Sequence, residues 1–61
     1  TMKYLTPMAN ALGFRIEKAY GNGYRLMYLK HYTSYGVIFA DLEGVAHELA
    51  KITTRRLEAA R

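Results

Sequence analysis

The segment Tyr24–Lys30 has the composition of a β-strand, yet apolar and polar side chains do not alternate along it. Successive residues of a strand point to opposite faces of a sheet, so this segment places apolar and aromatic groups on both faces. One helix packs on only one face of a sheet. We therefore expect the other face to remain exposed, to carry Tyr and Arg, and to bind something outside the domain.

Two further segments have strand character. Phe14–Tyr20 alternates apolar and polar residues over its first four positions, as a half-buried strand does. Tyr35–Ala40 is a nearly continuous apolar run rich in β-forming residues. Strands that follow each other in sequence usually pair in space, which predicts a three-stranded antiparallel meander with Tyr24–Lys30 at its centre.

The dipeptide Asn22-Gly23 predicts a tight hairpin between the first two strands, because it tolerates the positive φ angles that such turns need. A two-residue turn pairs Tyr20 with Arg25, whereas a three-residue turn pairs Tyr20 with Tyr24. The turn length decides which pair of side chains joins Phe14 and Ile16 on one face, Leu26 and Tyr28 or Met27 and Leu29. In both registers apolar side chains remain on the opposite face.

One helix is predicted before the three strand segments in the sequence, and another is predicted after them. Thr6-Pro7 favours a helix start and Gly13 a helix stop, which gives a short first helix of about two turns. Asp41 is a candidate N-cap for a long second helix. Apolar residues then recur close to the helical period at Leu42, Val45, Ala46, Leu49, Ile52 and Leu57.

These elements predict an α+β fold. We expect a single domain over residues 1–61, with a short N-terminal helix, a three-stranded antiparallel meander and a long C-terminal helix packed on one sheet face.

Composition narrows the classes of function. The chain has 61 residues, a formal net charge of +4 and no cysteine. A domain of this size is marginally stable and has no disulfide to support it, so a homodimer is one way to bury more surface. The positive charge fits an anionic partner, and nucleic acid is the first candidate. Solubility is the alternative explanation for the same charge. No segment is apolar over the length of a membrane span, and we expect a cytoplasmic protein.

Basic and aromatic residues of the sheet and its rim form the candidate binding surface. Lys and Arg suit phosphate groups, and Tyr rings stack on bases or anchor a protein interface. The candidates are Arg15, Lys18, Tyr24, Arg25, Tyr28, Lys30 and Tyr32, together with Arg55 and Arg56 on the second helix. Alternatively, half of the tyrosines complete a small core, and the basic residues near the C-terminus of the second helix interact favourably with the helix dipole.

No residue pattern indicates catalysis or metal binding. His47 lies four residues from both Glu43 and Lys51, the spacing of an exposed side-chain pair on a helix. His31 has no neighbouring base and acid that would make a nucleophile, and two histidines do not complete a metal site. The turn Gly21–Gly23 leads into a strand, whereas a phosphate loop leads into a helix. We therefore expect a module that is not an enzyme and has no cofactor.

The stretch Phe14–Leu49 resembles small proteins of phages and other mobile elements, in which a hairpin meander precedes Asp-Leu-x-x-Val and a closing helix. Here that motif is Asp41–Val45. The order of elements also resembles the DNA-binding domains of plant ethylene-response factors and the arm-binding domains of tyrosine recombinases. This resemblance implies that the exposed sheet face enters the major groove, with Arg15 and Arg25 reading bases. Double-stranded-RNA-binding domains are similar in order, but they carry Lys where the second helix of this chain begins with acidic residues.

Two hypotheses follow. In the leading one, the chain binds nucleic acid through the sheet, with Arg15, Arg25 and Lys30 on phosphates or bases and Tyr24 and Tyr28 in support. Its affinity would then fall steeply with salt. In the other, the same face binds a protein, as an inhibitor or through self-association, and aromatic residues are the anchors.

Overall fold

The computed structural model describes residues 2–60 and confirms the α+β class and the order of elements. The elements are α1 (Met2–Ala11), β1 (Phe14–Lys18), β2 (Tyr24–Tyr28), β3 (Ser34–Phe39) and α2 (Leu42–Ala59). The strands form one antiparallel sheet in the order β1-β2-β3, so β2 is central, as predicted.

The β1–β2 hairpin has a register that neither alternative from the sequence gave. Tyr24 pairs with Lys18 and Arg25 pairs with Glu17. Tyr20 therefore pairs with neither of them and lies in the turn, fully exposed. Both predicted pairings of Tyr20 are wrong.

The conformation of the turn accounts for this register. The amide of Ala19 donates to the carbonyl of Gly23 over 2.9 Å, which closes a three-residue loop. Gly21, and not Asn22, adopts the positive φ, at 69°. Gly23 is needed for space instead, because a Cβ at this position would lie 3.0 Å from the carbonyl oxygen of Phe39 on β3. The glycines thus have two separate roles, where the sequence suggested one tight turn.

One face of the sheet packs against the two helices. The register sets Tyr28 opposite Phe14 and Leu26 opposite Ile16, which is the face assignment of the three-residue alternative. The core between the sheet and the helices consists of Leu5, Ala9, Phe14, Leu26, Phe39, Val45, Leu49 and Ile52.

Strand β3 contains an irregularity opposite β2. Arg25 pairs with Ile38 and Met27 pairs with Ser34, so that three residues, Tyr35–Val37, oppose a single residue of β2. Such a bulge re-aims the side chains of the strand that contains it. Here Tyr35 packs against the helix-side core.

Helix α1 begins earlier than predicted. The expected start at Thr6-Pro7 is wrong, since both residues lie inside the helix. Leu5 and Ala9, one turn apart, are both buried in the core, and this packing extends the helix to the N-terminal side of Pro7. The predicted stop is confirmed, because Gly13 follows the helix with a φ of 92°.

Helix α2 follows its predicted start. The Asp41 side chain accepts a hydrogen bond from the amide of Gly44 at 2.9 Å, as an N-cap does. The hydroxyls of Thr53 and Thr54 donate to carbonyls one turn back, and the helix continues through them. Leu57, predicted on the apolar face, is instead 66% exposed because the helix extends past the core. Neither helix within residues 2–60 has the length and apolar character that crossing a bilayer requires.

Candidate binding surfaces

The sheet residues that point away from the helices define what we term the open face. It comprises Arg15, Glu17, Arg25, Met27 and Ile38, all neighbours in the register. None of the five belongs to the core beneath the helices. The expectation of an exposed second face carrying Tyr and Arg is therefore met for Arg but not for the tyrosines of β2, because Tyr24 and Tyr28 lie on the face of Leu26.

Two arginines on the open face share one carboxylate. The Nε of Arg15 donates to Glu17 Oε2 over 2.6 Å, and a terminal Nη of Arg25 donates to Glu17 Oε1 over 3.1 Å. These two hydrogen bonds hold the pKa of the Glu17 carboxyl below its ordinary value. Within residues 2–60, both Nη groups of Arg15 are left without a protein acceptor. The pair is therefore fixed in place while the fork of Arg15 stays available.

Aromatic and aliphatic groups surround this charged pair. The guanidinium of Arg15 lies 5.5 Å from the ring centre of Tyr32, which is 90% exposed at the rim of the sheet. Ile38 is 66% exposed beside Arg25, whereas Met27 is almost buried between its neighbours. The open face thus combines a fixed positive group with exposed apolar surface.

The other predicted strand candidates lie on the helix side of the sheet. Tyr24 and Tyr28 share the face of Leu26, and Lys18 lies 5.5 Å from the ring centre of Tyr24. The single Arg- and Tyr-bearing surface expected from the sequence is therefore divided, because neighbouring residues of β2 must point to opposite faces. Tyr24 and Tyr28 cannot support Arg15 on the open face.

Three rings form a cluster at the edge of the core. Phe14 lies 4.9 Å from Tyr28 and 5.3 Å from Tyr35, measured between ring centres. The hydroxyl of Tyr35 donates to Glu48 on α2 over 2.8 Å, and this bond, with burial, raises the pKa of Tyr35. A terminal Nη of Arg55 lies 3.5 Å from Glu48 Oε2, so the positive charge of Arg55 is partly compensated.

A groove of 570 Å³ opens beside Tyr28, where the end of α1, the β2–β3 loop and the end of α2 meet. Its lining consists of Asn10, Ala11, Leu12, Gly13, Tyr28, Leu29, Lys30, His31 and Arg56. None of these residues is acidic, and neither Lys30 nor Arg56 has an acidic partner within residues 2–60. Tyr28 and Arg56 also line an adjoining cleft of 240 Å³.

The sequence identified three residues of this groove, Tyr28, Lys30 and Arg56, but not that they lie together. The sequence linked His31 only to catalysis and metal binding, and it did not indicate the apolar lining at the end of α1. The amide of Leu29 donates to the carbonyl of Gly13 over 3.0 Å, which continues the β1–β2 ladder beyond Phe14 and Tyr28 and brings the start of the loop to the end of α1. This contact follows from the hairpin register, which neither alternative from the sequence gave.

No family model, curated protein or solved structure matches the chain. The resemblances to phage proteins and to sheet-based DNA-binding domains therefore stay predictions. Within the described part of the chain, no three side chains of the His, Asp or Glu type lie together as a metal site would require.

Proposed function

We propose that this protein is a non-catalytic nucleic-acid-binding module that contacts its ligand with the open face. The observation that supports this best is the pair of arginines fixed by Glu17, with the Arg15 fork unoccupied. A guanidinium held in place by its Nε presents two parallel N–H donors, the arrangement that matches phosphate oxygens or the acceptor edge of guanine.

The balance of charge agrees with an anionic ligand. The net charge of the whole chain is +4. Glu17 neutralises only one of the two arginines on the open face, so this face keeps a positive charge. Exposed Tyr32 beside Arg15 adds a ring that can stack on a base or pack against a sugar. Such binding fits the further proposal of a regulatory protein of the phage type that acts in the cytoplasm.

Salt-dependent titration with a labelled DNA duplex tests the proposal. We expect binding at low salt whose affinity falls steeply as salt rises, because phosphate contacts release counterions. Arg15→Ala should weaken binding by about tenfold, and Arg15→Lys should restore only part of it because the fork is lost. Lys3→Ala removes the same charge from the far end of α1 and is the matched control. If nothing binds at low salt, or if all three variants behave alike, the proposal is wrong.

A protein partner is the second candidate, and one observation favours it. Ile38 is 66% exposed on the open face, with Val37 exposed next to it on β3. Apolar residues with Tyr and Arg are typical of the centre of a protein interface. Light scattering over a range of concentrations would detect self-association, and Ile38→Ser should abolish it if the open face is the interface. Under the nucleic-acid proposal, Ile38→Ser should affect DNA binding less than Arg15→Ala does.

A further inference from the structure

The groove beside Tyr28 is separate from the open face and has its own chemistry. Lys30, His31 and Arg56 bring basic groups to it, and no acidic residue of the described chain lines it. Tyr28 is 36% exposed, and its ring contacts that of Phe14, 4.9 Å away between ring centres. Basic side chains beside an accessible aromatic ring suit a ligand that is both anionic and flat.

We propose that this groove binds an unpaired nucleotide of a nucleic-acid strand, with the base against Tyr28 and the phosphate between Lys30 and Arg56. The inference rests on the proposed nucleic-acid binding and specifies which form of nucleic acid is recognised. A volume of 570 Å³ is within the range of about 300–1,000 Å³ of small-molecule sites, which is enough for one nucleotide.

The groove selects against paired bases for a physical reason. In a duplex each base has both of its faces covered by its neighbours, and a ring such as Tyr28 cannot reach them unless the base leaves the stack. In a single strand the faces are accessible, and stacking on an aromatic ring is favourable for every type of base. The groove is therefore expected to add affinity for single strands, overhangs or loops.

The walls of the groove also orient the ligand. Asn10 and Ala11 are the last residues of α1 and Leu12 follows them, so this wall lies at the C-terminal end of the helix, where the helix dipole is negative. This wall repels phosphate but suits the amino and imino donors of a base edge. The phosphate is thereby directed towards Arg56 and Lys30, which lie on α2 and in the loop.

The β2–β3 loop connects the groove with the open face. Lys30 and His31 line the groove, while Tyr32, the next residue, lies 5.5 Å from the guanidinium of Arg15. A strand leaving the groove along this loop passes Tyr32 and approaches the open face. The two surfaces can thus act on one ligand, with the unpaired nucleotide in the groove and the remainder on the sheet.

Affinity measurements on matched oligonucleotides test the inference. Anisotropy titrations would use a labelled oligothymidylate of about ten nucleotides and a blunt hairpin duplex of the same charge. We expect the single strand to bind more tightly. Arg56→Ala should weaken its binding by about three- to tenfold and flatten the salt dependence by about one phosphate contact, whereas Lys3→Ala should do neither.

The role of the ring is tested by a pair of variants and by a cross-link. Tyr28→Leu should weaken single-strand binding by about tenfold, while Tyr28→Phe should leave it unchanged because stacking needs the ring and not the hydroxyl. Circular dichroism would verify that both variants are folded. In addition, 5-iodouracil placed in the oligonucleotide should cross-link to Tyr28, which mass spectrometry identifies.

The outcomes separate this inference from the proposed function. One outcome overturns the groove proposal but leaves nucleic-acid binding by the open face in place. In it, duplex and single strand bind with equal affinity, Arg15→Ala weakens both, Arg56→Ala changes neither, and the cross-link forms on Tyr32. If polyglutamate displaces the oligonucleotide as well as unlabelled oligothymidylate does, the groove recognises charge alone, and the inference fails. If neither oligonucleotide binds at low salt, the proposed function and the inference fail together.

Discussion

At the scale of single residues, Glu17 determines how the open face responds to acid. Its hydrogen bonds to Arg15 and Arg25 lower its pKa from the ordinary value of 4.5. Because the pKa of Glu17 is lower in the folded state than in the unfolded state, ionised Glu17 stabilises the fold at any pH above its unfolded-state pKa. This stabilisation is lost as the pH falls through the folded-state pKa. We expect the melting temperature to decline below about pH 4.5, and Glu17→Gln to show a shallower decline from a lower starting value.

Thermal melts followed by circular dichroism between about pH 7 and pH 2 would measure this difference. Glu58→Gln is the matched control, because Glu58 makes no ion pair within residues 2–60 and the change of charge is the same. A constant gap in melting temperature between wild type and Glu17→Gln at every pH would show that the carboxylate does not stabilise the folded state through its charge.

At the scale of elements, local signals gave the type of each element, whereas its limits and its register depended on contacts distant in sequence. Asp41 was identified as the N-cap because capping depends on residues within one turn. The predicted start of α1 was wrong because the observed start depends on Leu5 packing in the core, against residues that are distant from it in sequence. The hairpin register was missed for a similar reason, since Gly23 lies against the Phe39 carbonyl of another strand. Propensity fixed the type of each element, and tertiary packing fixed its limits.

Two glycines in different elements should respond in opposite ways to alanine. A Cβ at Gly44 in the first turn of α2 would lie 3.5 Å from Phe39, an ordinary contact, so Gly44→Ala should stabilise the protein by up to about 1 kcal/mol. A Cβ at Gly23 would lie 3.0 Å from the Phe39 carbonyl oxygen, so Gly23→Ala should destabilise it by about 1 kcal/mol or more. Urea denaturation measures both. Loss of stability in Gly44→Ala would mean that the helix needs the glycine to approach the sheet.

At the scale of the whole molecule, the sequence indicated the central position of β2 but not the arrangement of the candidate residues around it. The non-alternation of β2 agrees with a central strand that places apolar side chains on both faces of the sheet. Arg25 and Tyr28 lie on opposite faces in any register, because they are three residues apart in one strand. The sequence could not show that Arg15 shares the face of Arg25, because that depends on the register. Nor could it show the groove, which forms only where α1, the β2–β3 loop and α2 meet.

The extent of the core should be measurable along α2. The helix has 18 residues and is about 27 Å long, so its last turns run past the sheet after Ile52, the last buried residue. Leu49→Ala should cost about 2–5 kcal/mol, and the milder Ile52→Val about 0.5–1.5 kcal/mol, because both remove buried methyl groups. Leu57→Ala should change stability by less than about 0.5 kcal/mol, since Leu57 is mostly exposed. Urea midpoints would rank the three variants. A large cost at Leu57 that depends on protein concentration would instead mean that this end of α2 is buried against a second copy, because only an associating surface makes stability depend on concentration.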